Sequence, residues 1–237
     1  MYAVSGMLSG ACANWASDAL PVERKASGNP AVNVVRGPLA ILHYLTLPWY
    51  FFRGGACPHC DPQSGERRPL RAPLLELAMM AAFVLIGWRF GSEPLRMVTL
   101  WLYAWFLLTV LVIDLEHRRV LNVMVAPAAV VALAASFLPG SPAPLDALLG
   151  GAGAFAAFFL IALLGRGAMG MGDVKLAGVI GLMTGYPLVV PSLLAGIVLG
   201  GLAAAVMLIT RRATRKTAIA YAPYLCVGAL AMLLWAG

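Results

Sequence analysis

Long apolar stretches separated by short polar ones run along almost the whole chain. An apolar helix needs about 20 residues to cross the hydrocarbon core of a bilayer. By that measure the pattern predicts eight spans, at roughly 2–20, 73–90, 94–113, 120–138, 145–164, 174–186, 188–210 and 217–236. The sixth is short and glycine-rich. Its start is expected to be irregular, which lipid tolerates only where the backbone is enclosed by protein or lines a wet cavity. Pro, Gly and Ser punctuate the connections, as in Leu138-Pro139-Gly140-Ser141-Pro142. The longest polar segment is 21–72. Within it, 39–52 is apolar and aromatic but short for a span, and it is expected to lie along the membrane surface. The expected organisation is therefore a first transmembrane helix (1–20), a loop (21–72) and a seven-helix membrane domain (73–237).

Composition sharpens this to a fold class. Of the 237 residues 61% are hydrophobic and 11% charged, with mean hydropathy +0.85. Soluble domains run about 45–50% apolar and about 25% charged. The chain reads as an all-α polytopic membrane protein. The N-terminal stretch has no basic region ahead of it and no small-residue cleavage site, so it reads as a retained helix and not a signal peptide.

Charge then sets the orientation. The pI near 9.6 would suit a nucleic-acid binder, but the basic residues fall between spans. Loops after spans one, three, five and seven carry Arg24, Lys25, Arg36, Arg53, Arg67, Arg68, Arg71, Arg118, Arg119, Arg166, Arg211, Arg212, Arg215 and Lys216. The others carry only Arg89 and Arg96, at span edges. The positive-inside rule makes the first set cytoplasmic and turns both chain ends outward. If 39–52 crossed the bilayer, every later span would flip and the bias would reverse.

Two acids stand out against this background. Asp114 ends span three and Asp173 begins span six, both on the cytoplasmic side. An ionisable side chain at membrane depth costs roughly 2.5–3.5 kcal/mol on insertion scales, which marks it as a functional-site candidate. Two close carboxylates share a proton. The ionised one takes a proton from water, the water attacks a carbonyl, and the protonated one donates to the carbonyl oxygen. Gly170 and Gly172, flanking Met171 just before Asp173, let backbone approach backbone, as an extended substrate requires. Lys175 either biases the local protonation balance or extends to the membrane surface. Against this stands a plain capping role for each acid, Asp114 as a loop residue beside Glu116 and His117, and Asp173 at the start of span six. The small residues Gly150-Gly151-Ala152-Gly153-Ala154 are expected to allow close helix packing.

These segments resemble a known family. Gly170-Met171-Gly172-Asp173-Val174-Lys175-Leu176 is similar to the G-x-G-D-x-K-L signature of type IV prepilin peptidases, which are intramembrane aspartic proteases. Ser5 to Asn14 resembles the family's opening G-x-x-x-G-S-F-x-N helix, and Arg53-Gly54-Gly55-Ala56-Cys57-Pro58-His59-Cys60 its R-G-R-C-x-x-C segment. Pro73-Leu74-Leu75-Glu76-Leu77 resembles its Y-P-L-V-E-L helix start, and Ile219-Ala220-Tyr221-Ala222-Pro223-Tyr224-Leu225 its I-P-F-G-P-(Y/F)-L segment. The matches follow the family's order along nearly the whole chain. The resemblance implies a bacterial inner-membrane enzyme with Asp114 and Asp173 as the catalytic pair at the cytoplasmic side. Its substrates would be prepilins or pseudopilins of a type IV pilus or a type II secretion system, cut after the glycine that ends a short basic leader. Glu76 and Glu116 are candidates for holding that leader, although each reads more simply as an interfacial acid or a partner of a nearby Arg. The peptidase chemistry needs no cofactor.

Two departures from the family pattern carry consequences. Leu121 stands where the family has proline, so a changed helix start is expected there. Many members carry two C-x-x-C pairs in the cytoplasmic loop, which suits zinc, but this loop has only Cys57 and Cys60. A metal at that pair would need His43 or His59 to complete it. Otherwise the pair is a set of reduced thiols or a labile disulfide. The family's second activity, N-methylation of the new terminus with S-adenosylmethionine, is associated with this loop, which carries half of the cysteine framework. Two competing readings are a proton- or cation-coupled transporter and a catalytically silent assembly factor. The first would want deeper acids and an internal repeat, and the second is opposed by the presence of both aspartates and both motif glycines.

Overall fold

Prolines mark where several helices begin, because proline lacks the N–H that a first helical turn leaves unbonded. Pro94 and Pro144 each open a helix. The computed structural model describes residues 1–22, 71–165, 169–210 and 221–235. These hold eight helices and no strand: α1 (Tyr2–Val22), α2 (Arg71–Phe90), α3 (Pro94–His117), α4 (Asn122–Ala135), α5 (Pro144–Leu164), α6 (Met171–Thr184), α7 (Val189–Ile209) and α8 (Ala222–Trp235). Four stretches, Pro73–Phe90, Pro94–His117, Pro144–Leu164 and Val189–Ile209, are long and apolar enough to cross a membrane. The chain is an all-α polytopic membrane protein, with a helix at each of the eight expected places.

Several ends differ from expectation, and each difference bears on the acids. Helix α3 runs one turn past Ile113, so Asp114 is helical and not a loop residue. Helix α6 begins regularly at Met171, with Gly170 as its N-cap, so Asp173 lies inside its first turn. Helix α4 is shorter than expected and starts at Asn122, with Leu121 extended before it at φ −83° and ψ 125°.

The chain forms two compact units, Met1–Gly91 and Ser92–Gly237. In the first, α1 and α2 pack antiparallel through small residues. A Cβ on Gly6 would come 2.7 Å from Met80 Cα, and one on Gly10 would come 2.7 Å from Glu76 Cα. Small residues are what lets transmembrane helices approach closely, since lipid leaves no hydrophobic force between them. Glu76 is completely buried here, and its Oε1 accepts from Asn14 Nδ2 at 3.5 Å. It is thus a buried polar link between two helices and not a surface acid open to a basic leader. Glu116, the other such candidate, is half-buried at the end of α3.

In the second unit α6 is packed by α4, α5, α7 and α8, and 61% of the apolar stretch of α3 is buried against 28% for α5 and 22% for α7. The outer two therefore keep most of their Leu, Ile and Phe surface for lipid. Helices α5 and α6 form a glycine-lined antiparallel pair. A Cβ on Gly150 would come 2.6 Å from Gly181 O, and one on Gly151 would come 2.7 Å from Leu182. Gly153 faces open space, so only part of the small-residue run is used for packing. Helices α7 and α8 pair in the same manner, Gly196 against Leu225 and Gly228 against Ser192.

Candidate functional site

Asp114 and Asp173 lie at one end of the second unit, where the last turn of α3 meets the first turns of α6 and α8. Asp114 is almost fully buried, with 5% exposure, whereas Asp173 is half-buried. Each lies within electrostatic reach of the other. The backbone N–H of Ala222, the first residue of α8, donates to the Asp114 carboxylate. Such an N–H has no partner inside its own helix and is free to bind an anion. Asp114 Oδ2 has no hydrogen-bond partner among the described residues. Arg118 lies within electrostatic reach of Asp114 and closes α3 in the left-handed conformation, φ 49°, with its N–H on Asp114 O at 2.9 Å. A non-glycine residue held there stores about 1–3 kcal/mol of strain.

Asp173 is placed by local helix chemistry. It is the third residue of α6, and its carboxylate accepts from the N–H of the N-cap, Gly170. That back-bond is half of a capping box. The two motif glycines do different things. A Cβ on Gly172 would sit 2.9 Å from Val120 Cβ, so this glycine lets α6 close against the segment that follows Asp114. Gly170 has φ −71° and ψ 142°, ordinary for any residue, and among the described residues an added Cβ would meet only Asp173 Oδ2 at 3.5 Å and Gly172 N at 3.9 Å. Lys175 Nζ donates to Asn122 Oδ1 at 3.0 Å, which ties α6 to the first residue of α4. The lysine's expected roles did not include that bond.

Three further groups border the acids. Tyr221 lies within electrostatic reach of Asp173, and its hydroxyl donates to Ile197 O at 3.3 Å. Cys226 is buried in α8 within electrostatic reach of both acids. The Ala222 N–H is the contact sequence reading missed, because a backbone donor leaves no side-chain signal. Pro223, next to it at the start of α8, is the available hint that this is a helix N-terminus with free donors.

Cys57, Cys60, His43, His59 and the segment 39–52, expected along the membrane surface, lie outside the described residues, as do most of the loop Lys and Arg positions. Among the described residues no group of three or more His, Cys, Asp or Glu is placed to hold a metal ion.

The fold and these acids define a class: a polytopic helical membrane protein with two carboxylates gathered at one end of its helices. The comparisons with known proteins narrow it. The chain belongs to the type IV leader peptidase family, whose family model matches residues 101–205, a stretch that includes both aspartates. It is 32% identical over 197 residues to a prepilin leader peptidase/N-methyltransferase of Pseudomonas aeruginosa, covering 81% of this chain and 66% of the relative. A relative of the same name from Pseudomonas putida is 28% identical over 202 residues, 83% of this chain and 66% of that one. One from Bacillus subtilis is 27% identical over 192 residues, 78% and 73% respectively. The chain thus spans 66% of the length of the two Pseudomonas relatives. No solved structure matches the chain.

Proposed function

We propose that this chain is a membrane-embedded aspartic endopeptidase that removes the short basic leader of prepilins or pseudopilins, with Asp114 and Asp173 as its catalytic pair. The observation that supports it best is the meeting of a buried, partly unpartnered Asp114 with Asp173 at one end of the helices. A carboxylate pair at close quarters holds one proton between its members. The ionised member draws a proton from a water molecule as that water attacks the scissile carbonyl carbon. The protonated member gives its proton to the carbonyl oxygen. Collapse of the tetrahedral intermediate breaks the C–N bond: the leaving amine takes the proton that the first carboxylate drew from water, and the second carboxylate recovers its own from the hydroxyl of the intermediate. The Ala222 N–H holds Asp114 in place through this cycle, and the Gly170 N–H does the same for Asp173. Gly170 leaves room for the substrate backbone beside Asp173.

The excess of Lys and Arg in alternate loops supports an inner-membrane orientation with the acids toward the cytoplasm, where a basic leader would remain. Methylation of the new terminus, with S-adenosylmethionine as donor, belongs to the same reading through the relatives' names, and Cys57 and Cys60 are the residues of the loop that would bear on it.

The deciding experiment is cleavage of a prepilin in detergent or membranes by the wild-type chain, Asp114→Asn and Asp173→Asn. Each variant is expected to lose cleavage by about 10²–10⁴-fold or more, the scale of general acid–base catalysis, with helicity intact. Cleavage surviving either substitution refutes the pair and favours an assembly factor or a transporter. Mass analysis of the mature terminus with and without S-adenosylmethionine tests methylation.

A further inference from the structure

The far end of the second unit holds a cavity of about 250 Å³ that the peptidase reading does not use. It opens among the start of α3, the α4–α5 turn, the α6–α7 turn and the end of α8. Arg96 lies about 27 Å along α3 from Asp114 at about 1.5 Å of rise per residue. That is close to the roughly 30 Å thickness of a hydrocarbon core. If the aspartates sit at one membrane surface, the cavity sits at headgroup depth on the other.

Its rim is built. Gly140 and Gly185 both adopt left-handed backbone, φ 80° and φ 67°, and shape the two turns that border it. A Cβ on Gly140 would come 2.8 Å from Arg96 Cδ, and one on Gly185 would come 2.5 Å from Pro142 Cβ. The Tyr186 N–H donates to Asp146 O at 2.9 Å, which fastens the α6–α7 turn to the start of α5. The lining is charged at one part and apolar at another. Arg96 and Asp146 are its charged residues, and Leu188, Met232 and Leu233 are among its apolar ones. Arg96 is shared with Glu93, whose Oε2 lies 3.5 Å from its Nη1.

From this placement we infer that the cavity is a binding site for the headgroup of an ethanolamine phospholipid. The phosphate lies on Arg96, the ammonium lies on Asp146, and the acyl chains leave over Leu188, Met232 and Leu233. Charge selects the occupant. A purely anionic headgroup would meet two carboxylates, Glu93 and Asp146, around a single guanidinium. A choline headgroup offers Asp146 no N–H donor, whereas a primary ammonium offers three, and hydrogen bonds between charged partners are the strong ones.

The test uses the full chain purified in detergent and titrated with short-chain phosphatidylethanolamine, phosphatidylcholine and phosphatidylglycerol of matched acyl length. Thermal unfolding and native mass spectrometry report binding. Saturable binding of the ethanolamine lipid is expected, at least tenfold tighter than of the other two. Asp146→Asn and Arg96→Gln should each weaken it at least tenfold and level the preference. An acid at the start of α5 also complements that helix's dipole, so Asp146→Asn is expected to lower the unliganded melting temperature slightly. Ser141→Tyr, on the α4–α5 turn, fills the cavity without touching a charge and should abolish binding even where a charge variant folds poorly. Asp114→Asn should bind as wild type does, which separates this site from the peptidase reading. Equal binding of all three lipids, or a preference that survives Ser141→Tyr, overturns the inference.

Discussion

Asp114 and Asp173 occupy opposite poles of their helices, and their surroundings treat them oppositely. Asp173 is in the first turn of α6, where a negative charge meets the positive end of the helix dipole and gains about 0.3–1 kcal/mol. It also caps that helix through the Gly170 N–H. Asp114 is in the last turn of α3, where the same dipole opposes it. It is buried, and one of its oxygens has no partner among the described residues, a condition that costs about 1–3 kcal/mol. Helix physics alone accounts for Asp173 but not for Asp114. An acid kept against local stability is the kind of exception expected at functional sites, and the proposed pair gives Asp114 that reason.

The comparison can be broken at several levels. The largest effect is on cleavage, where both Asp→Asn variants should fall together despite their different surroundings. Unequal loss, with one variant near wild type, would mean that only one acid takes part.

Next come the glycines. Gly172→Ala should destabilise the fold by about 1–3 kcal/mol, because its Cβ would press on Val120. Gly170→Ala has room, so its melting temperature should match wild type while its cleavage slows. Wild-type cleavage by Gly170→Ala would remove that glycine from the substrate path.

Stability should then split the two acids. Asp173→Asn is expected to lose about 0.5–1 kcal/mol of stability with its cap and dipole terms. Asp114→Asn should be neutral or stabilising in thermal unfolding followed by circular dichroism. A large loss for Asp114→Asn would mean that its bond to the Ala222 N–H outweighs burial. The smallest effect is expected for Lys175→Met, which removes one exposed hydrogen bond to Asn122 and should change stability by no more than about 0.5 kcal/mol. If that variant instead abolishes cleavage with the fold intact, Lys175 acts on the carboxylates and not as a strut.

Much of the fold was legible because a bilayer enforces it. Backbone groups in lipid must bond within their own segment, so a long apolar run has little choice but helix. Helix ends were less legible. The extra turn of α3 that buries Asp114 ends at Arg118, where neither glycine nor asparagine announces a left-handed cap. The role of Gly150 and Gly151 in packing was readable from their type, but Gly153 has the same type and meets nothing within 4 Å. Which small residue faces a neighbour depends on how the helices are rotated, and residue type does not encode that.

The sequence by itself determined the helical membrane class, the sites of the eight helices, and two acids marked out by the high cost of charge in an apolar chain. Only the tertiary structure decided that Asp114 is buried and Asp173 half-open, that the Ala222 N–H serves the one and the Gly170 N–H the other, and that Glu76 is enclosed. It also decided that a cavity with both charged and apolar walls opens at the far end of the unit. The physical reason is range. Burial in lipid acts on each segment alone and leaves its mark in local composition. The pairing of one helix end with another depends on packing between segments far apart in the chain, where the decisive partner is often a backbone N–H that no side chain signals.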